Sequence, residues 1–145
     1  MLFRSAVYTL ETMPWMYPDS PQSYLELMEV IDRKNVAVHL DPVNLINCPA
    51  RYFGNAEFLR ECFALLGSQI VGVHAKDILL RDNLTVHLDE VRPGLGSLDY
   101  GVFLTEMAKL PSDTPFMLEH LPNEDEYAQA AASVRSVATA LGIFL

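Results

Sequence analysis

The chain has 145 residues, 50% of them hydrophobic, and its 10 Lys+Arg against 19 Asp+Glu give a net charge of −9. That size and apolar content suit a single domain, 1-145, with a real core, and exclude a disordered chain. The acidity argues against nucleic acid or an anionic membrane as the main partner, because both need a basic face. No apolar run approaches the ~20 residues of a membrane span. The N-terminal stretch MLFRSAVYTLETMPW lacks the apolar core and cleavage site of a signal peptide. Cys48 and Cys62 stand in no metal-type spacing, which predicts reduced thiols and a cytoplasmic protein.

One pattern recurs four times along the chain: a short apolar run, a loop, then a helical period. The first run is Ala6 to Leu10. Beyond a Pro-rich loop, Ser20 can cap a helix with Pro21 in its first turn, and Tyr24, Leu27, Met28 and Ile31 recur at helical spacing. The second run is Val36 to Leu40. Its helix is expected to start near Asn55, to carry Phe58, Leu59, Cys62, Phe63 and Leu66 on one side, and to stop at Gly67. The third run is Ile70 to Val73. A long loop follows, and then Asp99 can cap a helix with Phe103, Met107 and Leu110 inward, ended by Pro111. The fourth run is Pro115 to Leu118. Asn123 to Glu126 resembles a capping box, and Tyr127, Ala130, Ala131, Val134, Ala138 and Leu141 form the buried stripe of a last helix closed by Gly142. Strand and helix in alternation predict an α/β fold with parallel strands, whose ligands bind at the C-terminal strand ends.

Those ends read Leu10-Glu11, Leu40-Asp41, Val73-His74 and Leu118-Glu119. Each run ends in a residue able to hold a metal or move a proton. Alternation places Thr9, Ala37, His39, Gly72 and Met117 on the same face as these four, a small and rather polar face. Leu10, Val38, Leu40, Val71, Val73, Phe116 and Leu118 then form an aliphatic face for helices to cover. Taken singly, Glu11 reads as a solvated loop acid, Asp41 as a turn residue and His74 as a core histidine. Together, three carboxylates and an imidazole converging on one point would repel each other and resist desolvation without a cation. An oxygen-rich set with one nitrogen suits one divalent ion, Mn²⁺, Mg²⁺ or Co²⁺, with Zn²⁺ less typical.

The stretches LETMPW, VHLDPVN, GVHAKD, RPGLGSLDY and MLEH span nearly the whole chain. On them the chain resembles the xylose isomerase-like TIM barrels, the sugar phosphate isomerase/epimerase superfamily that also contains endonuclease IV. The resemblance implies a (β/α)₈ barrel of ~250 residues, of which this chain would hold about four βα units, strands five to eight: an incomplete TIM barrel. It implies one metal on Glu11, Asp41, His74 and Glu119, with Glu11 and Glu119 as the catalytic pair that exchanges a proton next to a carbonyl. The implied substrate is a keto-sugar or polyol. Asn44 stands where several epimerases carry a histidine, and it can offer a substrate oxygen only a hydrogen bond. Glu90 aligns best with a further histidine of the endonuclease branch, which argues with the net charge against DNA cleavage. Two other functions follow from the same residues: a dehydratase of a cyclic polyol such as an inosose, and a truncated, catalytically incomplete chain that binds metal or a partner.

Further candidates surround the four. Lys76 and Asp77 can pair with each other or orient His74. His87, Asp89, Glu90 and Arg92 lie in the long third loop, from which substrate contacts could come. Gly94 and Gly96 suit backbone turns. Trp15 suits the apolar wall of a sugar pocket, and His39 and His120 suit supporting roles. An open four-stranded sheet would leave Val7, Thr9, Ala37, Ile70 and Met117 facing water and two strand edges unpaired, which predicts a homo-oligomer joined through that face.

Overall fold

The computed structural model describes residues 6–145; the first five residues of the N-terminal stretch lie outside the described residues. The chain opens with strand β1 (Tyr8–Glu11) and helix α1 (Pro21–Ile31). Ser20 starts α1 as expected: its hydroxyl accepts the Ser23 amide, and Ser23 closes the capping box in return. Strand β2 (Val36–Leu40) leads into two short helices, α2 (Pro42–Leu45) and α3 (Pro49–Phe53), then the long α4 (Asn55–Leu66). Helices α2 and α3 show no period in the sequence, because four or five residues are too few for one. Each begins with a proline in its first turn, which was the available signal.

Strand β3 (Ile70–His74) is followed by β4 (Asp77–Leu80) and β5 (Leu88–Val91), an antiparallel hairpin where a long loop was expected. Helix α5 (Tyr100–Met107) is capped by Asp99, whose carboxylate accepts the Val102 amide. It stops before Pro111, so Leu110 packs from beyond the helix, only partly buried. Strand β6 (Phe116–Met117) is shorter than predicted, and α6 (Glu124–Leu141) starts on the Asn123 cap. On α6 the buried stripe is Ala130, Val134 and Ala138, while Tyr127 and Leu141 are exposed.

The main sheet is parallel, in the order β1-β2-β3-β6. Helices α1, α4, α5 and α6 pack in sequence over one face, each against the next. Val38, Leu40, Ile70, Val73, Leu59, Phe103 and Leu104 form the core between sheet and helices. This is an α/β fold with four βα units around a curved sheet, an incomplete TIM barrel.

One local irregularity reverses part of the predicted facing. Val38 pairs with Ile70 and His39 with Gly72, so β3 carries one extra residue there, a β-bulge. Val71 is that residue, 44% exposed, while Ile70 is buried in the core. The expected places of Val71 and Ile70 are thus exchanged. Glycine permits the bulge, since a Cβ on residue 72 would lie 2.9 Å from the His39 ring. Of the other residues expected to meet water, Val7 and Met117 do, and Ala37 is buried.

Candidate metal centre

The bends after the four strands bring their terminal residues together. Asp41 follows β2 and caps α2: its Oδ1 accepts the Asn44 amide at 3.0 Å, which aims Oδ2 into the mouth of the sheet. The aspartate that opens onto a proline therefore caps a turn with one oxygen and turns the other toward the mouth. His74 ends β3, and its Nδ1 lies 3.2 Å from Glu11 Oε1, 3.5 Å from Asp41 Oδ2 and 2.9 Å from Glu119 Oε1. One donor atom from each of Glu11, Asp41, His74 and Glu119 falls within 4.8 Å of all the others. Beyond Glu119, His120 adopts a positive φ of 57°, the left-handed turn that takes the chain away from the mouth.

Lys76 also belongs to this group, and its position was the least legible in the sequence. It stands two residues beyond His74, and its ammonium reaches back to Asp41 Oδ2 at 2.8 Å and Glu119 Oε1 at 2.5 Å, with Glu90 at 3.4 Å. It does not pair with Asp77. The Asp77 carboxylate instead accepts the backbone amides of Ile78, Gly94, Gly96 and Leu98.

Other predicted residues divide. Asn44 donates to Glu11 Oε1 at 3.2 Å and to the Thr12 carbonyl at 3.0 Å, so it holds Glu11 in place. Trp15, Asn44, Lys76, Glu90 and His120 line a cavity of about 480 Å³ beside the cluster. Arg92 does not; it turns to Glu126 at 2.7 Å, on the helical side. His87 is exposed and Asp89 pairs with Arg81 at 2.7 Å, both away from the donors. His39 stacks edge-on against His74 with ring centres 4.2 Å apart and fixes that ring from behind.

The electrostatics follow from burial and crowding. Burial, then the neighbouring Glu119 and Asp41 charges, push the Glu11 carboxyl above its ordinary 4.5, against the pull of His74 and Lys76. Burial also works to raise Asp41, but contacts from His74 and Lys76 outweigh it and hold that carboxyl below 3.8. For His74, burial opposes the charged form, and the three carboxylates overcome it and lift the imidazole above 6.5. Lys76 is raised likewise, chiefly by Asp41 and Glu119 acting against its burial. Partial burial, then the neighbouring His74, push His39 below 6.5.

Asp41 Oδ2, Glu119 Oε1 and Lys76 Nζ are buried and close, yet none of them makes a hydrogen bond of acceptable geometry. Atoms that surround a point without bonding along their lone pairs suit a central cation better than a hydrogen-bonded network. Three carboxylates and one imidazole therefore fit a divalent ion.

The fold has counterparts. A family model, xylose isomerase-like TIM barrel, matches residues 5–137, and the chain belongs to that family. Among solved structures it is similar to a xylose isomerase domain protein from Planctomyces limnophilus, with 21% identity and a TM-score of 0.70 over 94% of this chain and 46% of that one. It is also similar to a xylose isomerase-like TIM barrel protein from Mycobacterium smegmatis in complex with magnesium, with 16% identity, a TM-score of 0.66, and 93% and 45% of the two chains covered. A D-tagatose 3-epimerase-like protein shares 21% identity and a TM-score of 0.65 over 94% of this chain and 48% of its own. The chain thus spans about half the length of the solved structures it matches. No curated protein matches it by sequence. Among the described residues, no helix is long and apolar enough to cross a membrane.

Proposed function

We propose that the chain carries the metal site and the acid–base pair of a divalent-metal-dependent sugar isomerase or epimerase, one that works by moving a proton next to a carbonyl. The observation that carries this reading is the approach of two glutamates from opposite edges of the sheet. Glu11 ends β1 and Glu119 follows β6, the two outer strands, and both reach the His74 Nδ1, at 3.2 and 2.9 Å. A substrate carbon above the cluster would have a carboxylate on either side. Glu11, Asp41, His74 and Glu119 would hold the ion, with Mn²⁺, Mg²⁺ or Co²⁺ favoured and Zn²⁺ possible; magnesium is named for the Mycobacterium smegmatis protein. When bound, the ion supplies Lewis-acid stabilisation of the negative charge that develops on the carbonyl oxygen. One glutamate removes the α-proton and the other returns a proton to the opposite face, which inverts the carbon; return to the neighbouring carbon isomerises instead. Lys76 favours the ionised form of Asp41 and pairs with Glu119 at 2.5 Å, and Asn44 holds the Glu11 carboxylate toward the mouth.

Solvent-deuterium uptake at the α-carbon of a ketose, with metal content measured in parallel, tests this reading. Glu119→Gln keeps the shape and removes the base, so a loss of about 10²–10⁴ in exchange is expected. Undiminished exchange in that variant would exclude Glu119 as a proton carrier. The coverage of about half the matched structures favours a second reading, a chain that binds the ion or a partner without turnover. It predicts stoichiometric metal and no exchange. The outer edges of β1 and β6, unpaired among the described residues, with Val7, Tyr8, Val71 and Met117 exposed, support self-association through the open face of the sheet. The two free thiols support residence in the cytoplasm.

A further inference from the structure

We propose that Lys76 and Glu90 form an exchange pair for the metal cluster: the Lys76 ammonium balances the carboxylates when no ion is bound, and a divalent ion displaces it onto Glu90. This statement rests on the metal reading above. The argument starts from shared atoms. Glu11 Oε1, Asp41 Oδ2 and Glu119 Oε1 face His74 Nδ1 at 3.2, 3.5 and 2.9 Å. The same three oxygens face Lys76 Nζ at 3.8, 2.8 and 2.5 Å. An ion held by those oxygens and the imidazole would therefore bind atoms that the ammonium already faces. An ammonium has no lone pair to offer, so it cannot enter the ion's shell as a ligand. Two cations sharing three oxygens at these distances repel strongly in a site shielded from water. The ion and the ammonium thus compete for one place.

A second position for the ammonium is close by. Glu90 Oε2 lies 3.4 Å from Lys76 Nζ, and Glu90 stands outside the group of four donors. It comes from β5, in the hairpin rather than the main sheet, and His120 Nδ1 faces its carboxylate at 3.2 Å. Lys76 and Glu90 both line the cavity beside the cluster, so the displaced charge stays at the cavity wall. The Lys76 side chain is only 1% exposed, yet its ammonium makes no hydrogen bond of acceptable geometry. No directional bond fixes it among the oxygens, and its flexible four-carbon stem lets the charged end shift while the backbone stays in place. Four carboxylates within 4.0 Å surround this single ammonium, which leaves an excess of negative charge for a divalent ion to balance. Lys76 thereby lets Asp41 and Glu119 stay close together before the ion arrives, and Glu90 sets how readily Lys76 gives way to it.

Calorimetric titration of the chelator-treated full chain with Mn²⁺ tests the exchange through a double-mutant cycle. Lys76→Met has no ammonium to displace, so its affinity for Mn²⁺ is expected to rise about tenfold or more. Glu90→Gln removes the acceptor of the displaced ammonium, so affinity is expected to fall about tenfold or more. In the double variant the Glu90 change should have little effect, because no ammonium then needs the acceptor. An equal fall in both backgrounds overturns the proposal, since it makes Glu90 a ligand or a distant charge. Unchanged or weaker binding in Lys76→Met, with saturable binding to the unaltered chain, overturns the proposal and upholds the metal reading. No saturable binding to the unaltered chain overturns both. If Lys76→Met fails to fold without the ion, the unaltered chain decides by NMR. On saturation with Mg²⁺, the Lys76 ε-protons are expected to lose their contact with the Asp41 β-protons and to keep that with the Glu90 γ-protons. An Asp41 contact that persists with the ion bound overturns the proposal.

Discussion

Lys76 is only 1% exposed in its side chain and still carries a full charge, which its contact with the wholly buried Asp41 explains. A buried ion pair contributes little net stability compared with an apolar pair, but breaking one side leaves the other charge uncompensated. Lys76→Met is therefore expected to destabilise the chelator-treated protein by about 3–5 kcal/mol. A divalent ion in the same cluster supplies positive charge to Asp41 and Glu119, so Mg²⁺ or Mn²⁺ should recover much of that loss. Urea denaturation with chelator and with metal reads both quantities. Equal loss under the two conditions would show that the ion and Lys76 do not share the same carboxylates.

Strand β3 shows how one element sets the geometry of the site. Its bulge turns Ile70 into the core and Val71 outward, and it brings Gly72 beneath His39. His39 in turn supports the His74 ring at 4.2 Å. In Gly72→Ala the new Cβ would sit 2.9 Å from His39 Nδ1, closer than packing allows. A loss of about 1–3 kcal/mol is expected from that overpacking, with weaker metal binding as His39 tilts into His74. Replacing His39 by Ala removes the obstacle, so the double variant should lose less than the sum of the two single variants. A double-mutant cycle in urea checks this, and strict additivity would place the strain elsewhere. The cap of α6 is simpler: Asn123→Ala removes the acceptor for the Glu126 amide and should cost about 1 kcal/mol.

Across the whole molecule, two buried tyrosines join the layers. The Tyr24 hydroxyl on α1 donates to the Leu10 carbonyl of β1, and Tyr100 on α5 donates to the Lys76 carbonyl at 2.8 Å. Burial raises both phenols above their ordinary 10.0. Groups with raised values in the fold stabilise it fully below pH 10.0 and cease to do so as the pH climbs through those raised values. Alkaline unfolding is thus expected to begin above pH 10.0, with helix content lost as these two phenols ionise. Circular dichroism and tyrosinate absorbance, recorded together, check it; ionisation of both with the helices intact would contradict the burial argument. The open sheet carries its own expectation at this scale. Sedimentation across a dilution series should find a dimer or larger species at micromolar protein. A well-folded monomer there would leave the exposed edges of β1 and β6 without the proposed cover.

What could be read from the sequence was local. The caps at Ser20, Asp99 and Asn123 and the four apolar runs are set by neighbours within a few residues; the caps stand where they were expected, and each run holds a strand of the main sheet, β6 shorter than expected. The acid or histidine after each run was legible for the same reason, and parallel pairing then brings the four together without further instruction. The rest depended on partners that no local pattern names. Asp77 meets amides 17 to 21 residues away, Asn44 reaches Glu11 at a separation of 33, and Arg92 turns to a glutamate on the last helix. The hairpin of β4 and β5 was missed because its strands pair with each other outside the main sheet and show no clean alternation. The bulge in β3 depends on a ring from the adjacent strand lying over Gly72. Strand parity, charge pairing and the filling of an amide nest are settled by which groups packing brings within about 3 Å, the range over which hydrogen bonds and contact repulsion act.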